Sequence, residues 1–511
     1  MTTLIPKYSQ VTTANRTIAE KFSEQISVKD FGAIGDGVAD DTAAINAAIN
    51  YFQLNQPKKG GQIYFPRGQY RVTSTIEVYN PSGLIFIGCM GSESSNPTIV
   101  DGADSSFIFG DGIPNTKPVF YFWAGHNVQF KNLIIFGARG SDSPVKAAAA
   151  VWIDFNHQAY RFYNCKFCIA SFGIRVCSSY NHSTGAWTPG VSAYDGTTYP
   201  PSVLAGGFAS DNGVYEDCEF DGNSIADLSI ESAQALDMVS RKCIFIALTG
   251  AKKAVHITGC QGMSFYDATI IGETFLYLLP QTSVANIVTY NSHNENSLSP
   301  SYILEHGNFT SIGVGVSVNQ AGGGSIRLKG AITTPRSCVT INNSNLDGIE
   351  LVHEGMNLIV SNTNMGTFSK STGATSQYMS LTNVNVSTSI STNWSNTFDS
   401  LIVEHCNIIG YPALSNVPLK VSGRSQYDVK MILGGIADTG SATAGMEGLV
   451  FHAGDNNATL TWGCYYNTSS VLIASATSGG QLVFINTGLQ LSKFTGATIG
   501  TTPTLVAGAY A

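Results

Sequence analysis

The chain has 511 residues, of which 12% are charged, with 53 glycines, 22 tyrosines and a formal net charge of −8. Sparse charge among many hydroxyl and amide side chains suits a stiff extracellular β protein better than a helical cytosolic enzyme. The negative balance argues against electrostatic binding to nucleic acid or to an anionic membrane, and no run of about 18 apolar residues exists to span a bilayer.

The chain divides into four sections. Residues 1–26 hold a linker and a neck helix, Thr17 to Ile26, with Ile18, Phe22 and Ile26 on one stripe. One stripe cannot bury itself, so this helix must pack on the next domain or on copies of itself. The start, Met1 to Tyr8, lacks the apolar core of a secretion signal, so release by cell lysis is the expected way out. Residues 27–75 form a capping segment, in which Asp40-Asp41-Thr42 opens a helix running to about Leu54. Residues 76–410 carry a ladder of short apolar triads. From 411 to 511 the composition drifts to Gly, Thr and Ser with new β runs, which reads as a separate β-rich module for trimerisation or carbohydrate binding.

The ladder is the strongest signal. It includes Asn164-Cys165-Lys166-Phe167, Asp217-Cys218-Glu219-Phe220, Lys242-Cys243-Ile244-Phe245, Asp267-Ala268-Thr269-Ile270, Asn343-Ser344-Asn345-Leu346, Asn362-Thr363-Asn364-Met365, Asn383-Val384-Asn385-Val386 and His405-Cys406-Asn407-Ile408. The intervals Cys218 to Cys243, Asn345 to Asn364, Asn364 to Asn385 and Asn385 to Asn407 are 25, 19, 21 and 22 residues. Period-two alternation at that interval marks a β solenoid, so the fold class is all-β, a parallel β-helix. Cys165, Cys218 and Cys243 should form one inner column and Phe167, Phe220 and Phe245 another, with the preceding polar residue at a bend that tolerates left-handed backbone. The cysteines read as small buried hydrophobes. Cys165-x-x-Cys168 has no partner pair at zinc spacing, and the chain predicts no metal and no cofactor.

The segment VKDFGAIGDGVADDTAAINAAI, followed by GGQIYFPRGQYRV, resembles the opening of the pectate-lyase-like β-helix superfamily found in bacteriophage tailspike depolymerases. The helix TIAEKFSEQ leading into ISVKDFGA resembles the trimeric neck of such tailspikes. The resemblance covers about residues 15–75 by motif and the coils by repeat character. It implies a right-handed, homotrimeric β-helix on a virion, joined through its N-terminus to other phage tail proteins and acting outside the cell on a bacterial surface polysaccharide. The polygalacturonase branch carries Asn-Thr-Asp, Asp-Asp, Gly-His-Gly and Arg-Ile-Lys. None of these occurs in the coil region, so no catalytic residue carries over and pectin is not the expected substrate. Asp36, Asp40 and Asp41 read as turn and helix-cap residues rather than chemistry.

Chemistry is then expected on the outer faces of the coils. Using the repeat as a ruler stacks Gly173-Ile174-Arg175-Val176 on Asp227-Leu228-Ser229-Ile230-Glu231, then on Ala254-Val255-His256-Ile257, and more distantly on Ser325-Ile326-Arg327-Leu328 and Gly348-Ile349-Glu350-Leu351. Arg175, Asp227, Ser229, Glu231, His256, Arg327 and Glu350 thereby point outward. The densest acidic patch supplies the catalytic candidates Glu219, Asp221, Asp227 and Glu231, with Glu216 beside them and Glu273 and Glu305 in reserve. Glycoside hydrolysis needs two carboxyl groups about 5–5.5 Å apart for retention or about 6.5–9.5 Å apart for inversion.

Two insertions supply aromatic groups for stacking on sugars. Residues 177–212 bring Tyr180, Trp187, Tyr194, Asp195, Tyr199 and Asp211, and residues 280–301 bring Tyr290, His293 and Glu295. The reading is an endo-glycosidase acting on capsule or O-antigen. A lyase using Arg175 with His256 or a tyrosine, and a non-catalytic receptor-binding fibre, are the alternatives.

Overall fold

The computed structural model describes residues 25–55, 60–90, 104–140, 145–177, 210–231, 235–247, 253–272, 274–278, 286–295, 302–306, 315–322, 325–330, 338–351, 357–370 and 376–386, with shorter pieces elsewhere. The neck pattern up to residue 24 lies outside them. Gln25 and Ile26, expected to close that helix, instead belong to the first strand, Gln25–Ser27.

The strands wind into a three-sided parallel β-helix. The first ladder stacks Gln25–Ser27, Gly61–Tyr64, Leu84–Ile87, Gln129–Lys131, Arg161–Tyr163, Val214–Glu216, Met238–Arg241 and Met263–Tyr266. The second stacks Asp36–Asp40, Gly68–Val72, Ser106–Gly110, Ile134–Phe136, Lys166–Cys168, Glu219–Asp221, Ile244–Ala247 and Thr269–Gly272. The third runs from Ile76–Tyr79 through Phe120–His126, Ala149–Gln158, Phe172–Cys177, Ala226–Glu231, Lys253–Gly259, Thr274–Leu278, Tyr302–His306 and Ser325–Gly330 to Asn345–Leu351.

The repeat intervals of the sequence are the registers of the structure. Phe167 pairs with Phe220, Phe220 with Phe245, and Asn345, Asn364, Asn385 and Asn407 pair in turn. The phenyl rings stack inside the coil with centroids 5.3 and 5.0 Å apart. Each buried ring removes apolar surface worth about 1.5–3 kcal/mol from water, so the column supplies much of the local cohesion.

The corner before the second ladder is left-handed at every expected position that is described: Asn164, Asp217, Lys242, Asp267, Asn343, Asn362 and Asn383 have φ between 48° and 53°. Asn and Asp accept that conformation at small cost because their side chains bond locally. Cys406, the last cysteine of the ladder, lies outside the described residues.

Helix α1, Thr42–Asn55, caps the first coil as expected. The Asp41 backbone carbonyl accepts from Ile45 N–H, while its carboxylate accepts from Ile34 and Gly35 N–H at 2.7 and 3.2 Å. Asp36 accepts from Val38 and Ala39 N–H, which holds its carboxyl below the usual range. These acids are structural. One of the two expected insertions is partly corrected: Ile287–Glu295 is a strand. Ile287 and Thr289 face inward, and Asn291 turns the corner with φ 52°. Beyond residue 418 the described strands continue parallel pairing, as between Val429–Ile432 and Leu460–Gly463.

Candidate functional site

The outer side of the third ladder carries a row. Glu77, Tyr121, Trp152, Arg175, Ser229, His256 and Tyr277 pair one to the next, and further along Arg327 pairs with Glu350. The predicted stack Arg175–Ser229–His256 is therefore observed, as is the Arg327–Glu350 step, and Tyr277 follows His256. Alternation explains the directions: Ile174, Leu228, Ile230, Val255 and Ile257 join the inner core, so their chain neighbours leave the coil.

Outward does not mean accessible. Asp227, Ser229 and His256 are 0% exposed and Glu231 is 3% exposed, with Arg175 also buried. The expectation of an open groove here is corrected: these groups are buried, and a second apolar cluster of Tyr121, Trp152, Phe172, Cys177 and Ala226 lies outside the coil, with Trp152 and Phe172 against Arg175.

Within that layer the polar groups are closely matched. The Arg175 guanidinium donates to both Glu231 carboxylate oxygens, Nε at 2.9 Å and Nη2 at 2.7 Å, and Ser229 Oγ donates to Oε1 at 2.7 Å. Arg175 also lies over the rings of Trp152 and Phe172, at 4.5 and 5.2 Å. Burial disfavours its charge, yet the surrounding negative groups, Glu231 foremost, together raise its pKa. Tyr121 donates its hydroxyl to Asp154 at 2.9 Å. Burial and the Asp154 charge push that phenol upward, so it stays a donor. The Cys177 thiol is driven up by burial and accepts the Trp152 indole N–H, which leaves it no nucleophilic role. His256 stacks on Tyr277 at 5.4 Å, and burial followed by the Lys253 and Arg175 charges holds its pKa well below the usual value.

The four predicted acids divide between two faces. Glu219 and Asp221 leave the second ladder, where Lys166 forms an ion pair with Glu219. Asp227 lies near the start of the third-ladder strand, held by Asn223 Nδ2 at 2.7 Å. Gly173 permits the close approach of the two strands there, since a Cβ would meet Asp227 O at 2.5 Å. Asp211 is half-buried and accepts from Leu236 N–H at 3.1 Å; burial raises its carboxyl. Glu216 belongs to the first ladder, on a different face from the row.

Tyr180 and Trp187 pair across a two-stranded antiparallel hairpin. Tyr194, Asp195, Tyr199 and Glu273 lie outside the described residues. Among the described residues, no three His, Cys, Asp or Glu side chains gather to hold a metal.

The sequence reading missed Tyr121, Trp152 and Asp154. The signal was present one coil earlier: Val151-Trp152-Ile153-Asp154 pairs with Ile174 to Cys177 at a 23-residue step. Asp154 pairs with Cys177, and Val176 pairs with Ile230, so Glu231 follows on Asp154 two rungs along. Below Asp154 the same column continues to Trp123 and then to Tyr79, which is exposed.

Residues 25–226 match the family described as rhamnogalacturonase A/epimerase, pectate lyase-like. The match covers the capped first coil and the coils up to residue 226, and over that segment the chain is similar to this pectate-lyase-like family. Mannuronan C5-epimerase AlgE1 of Azotobacter vinelandii is 57% identical over 51 residues, which cover 10% of this chain and 3% of that protein. The chain thus spans a small fraction of that relative's length. Among solved structures, pre-mature gene product 12 of bacteriophage phi29 aligns with a TM-score of 0.45 and 12% identity, over 90% of this chain and 67% of that one. Tailspike protein gp49 from Acinetobacter baumannii bacteriophage Fri1, a capsular polysaccharide depolymerase, aligns with a TM-score of 0.39 and 14% identity, over 77% and 60%.

Proposed function

We propose that the chain is a bacteriophage tailspike depolymerase that cuts a bacterial surface polysaccharide, capsule or O-antigen, by endo-glycoside hydrolysis. The observation that carries this is the column Tyr79–Trp123–Asp154–Cys177, with Glu231 following it and Arg175 alongside. Two rungs separate Asp154 from Glu231, roughly 9–10 Å along the axis, at the upper end of the carboxyl separation of inverting enzymes.

In this reading Glu231, held in place by Arg175 and Ser229, is the base that activates water. Asp154, buried and accepting the Tyr121 hydroxyl, is the second carboxyl of the pair. Tyr79 and Trp123 form the accessible aromatic approach, 6.1 Å apart, on which a sugar face can stack. Because Asp154 and Glu231 are buried, cleavage requires the layer over them to part as the polymer enters. Elimination is less well supported: a neutral, buried His256 and an Arg175 already committed to Glu231 make a poor base and charge stabiliser. Glu219 and Asp221, on the other face, are assigned to the Lys166 side of the scaffold. The same proposal has three copies assembling on a virion, with the N-terminus towards other tail proteins.

The test is to incubate purified capsule and O-antigen polysaccharides with the protein and follow polymer mass by light scattering. Wild type should shorten one of them, and Asp154→Asn and Glu231→Gln should each slow this by about 10²–10⁴-fold. Binding without shortening would favour adhesion. Full activity in both variants would remove the assignment.

A further inference from the structure

The outer side of the first ladder carries a second row that the chemistry above does not use. Lys131, Tyr163, Glu216, Arg241, Tyr266 and Tyr290 pair one to the next up the solenoid. Six rungs span about 24 Å. Unlike the third-ladder row, this one ends in the open: Tyr266 is 37% exposed and Tyr290 is 54% exposed. The two phenol rings lie 6.3 Å apart, and Arg241 sits 5.9 Å from the Tyr266 ring centre. Along one edge runs the bend row, where Asn291 Nδ2 donates to Asp267 Oδ1 at 2.7 Å and both residues are exposed.

We infer that this strip is a second, non-catalytic polysaccharide-binding site, which holds a stretch of polymer parallel to the solenoid axis. Two exposed rings on successive rungs offer apolar faces at the repeat of a sugar chain. Arg241, Lys242, Asp217 and Asp267 beside them offer donors and acceptors for hydroxyl groups. Charge beside the rings is what separates a glycan from a second copy of the chain. The core of a protein–protein interface is depleted of charged residues, and here Arg241, Lys242, Asp217 and Asp267 are exposed next to the two rings. Opposite charges in near balance likewise suit a polyhydroxyl polymer rather than a strongly ionic one. The inference rests on the chain acting on a polysaccharide, but it concerns a different face from the cleaving one.

The experiment uses the full chain and the polysaccharide that it shortens in the assay above. Affinity for the long polymer is measured by biolayer interferometry for wild type, for Tyr266→Ala with Tyr290→Ala, and for Tyr266→Phe with Tyr290→Phe. Cleavage of a short oligosaccharide cut from the same polymer is measured in parallel. The double alanine variant should bind polymer about tenfold more weakly, the sum of two ring contacts, while the double phenylalanine variant keeps most of the affinity. Oligosaccharide turnover should be unchanged in both. Unchanged polymer affinity in the double alanine variant overturns the strip, as does a fall in its sedimentation coefficient showing that the rings pack against another copy. Loss of oligosaccharide turnover in Glu231→Gln with the strip intact bears only on the cleaving face, so the two readings fail separately.

Discussion

At Glu231 three donors converge on one buried carboxylate, two from Arg175 and one from Ser229. A pair with both members this deeply buried is costly to break from one side, since the survivor stays charged without water or partner. Replacing Arg175 with Ala should therefore lower unfolding stability by about 3–5 kcal/mol in urea titration. Glu231→Gln should also destabilise, because the buried Arg175 guanidinium keeps its charge and loses one of its two acceptors. His256 gives a pH signature. Its folded pKa lies below its unfolded value of about 6.5, so the unfolded chain binds the extra proton. Its contribution is thus fully present above about pH 6.5 and falls by about 1.4 kcal/mol per pH unit below that value. The difference in stability between wild type and His256→Gln should shrink from pH 7.5 to pH 5; a difference that does not change with pH would contradict a neutral buried imidazole.

Among the elements, the bends explain why the sequence was readable. A parallel coil must turn a tight corner at the same place on each winding, and the left-handed residue there is conspicuous because few residue types tolerate it. Lys242 is the exception in a row otherwise filled by Asn and Asp, with φ 50°. Lys242→Asn should stabilise the fold by about 1 kcal/mol, measured as a shift in the urea midpoint without a change in slope. The inner columns were equally legible, since Phe220 sits between Phe167 and Phe245 and only like sizes stack without voids. Phe220→Ala should cost about 3–5 kcal/mol for the same reason. What alternation could not say is whether an outward residue is wet. Parity placed Asp227, Ser229 and His256 outside the coil, yet all three are buried, which alternation along one strand does not encode. Ile287–Glu295 misled in the opposite sense: its polar run Tyr290 to Glu295 reads as a loop, but it is a corner with strand on both sides.

For the whole molecule, the long solenoid gives each residue a place along an axis, so a polymer can engage several rungs at once on more than one face. The third-ladder row is proposed to cut and the first-ladder strip to hold. The chain is also expected to assemble as a trimer, which sedimentation should show as a single species of three times the chain mass; a monodisperse monomer would contradict it. The most direct measurement is the molar mass of a cleavable bacterial surface polysaccharide, followed by light scattering with ultraviolet detection. Wild type should reduce that mass with no absorbance from an unsaturated product, and Asp154→Asn and Glu231→Gln should leave it near its starting value. Rising absorbance, or undiminished shortening by both variants, would contradict hydrolysis by this carboxylate pair.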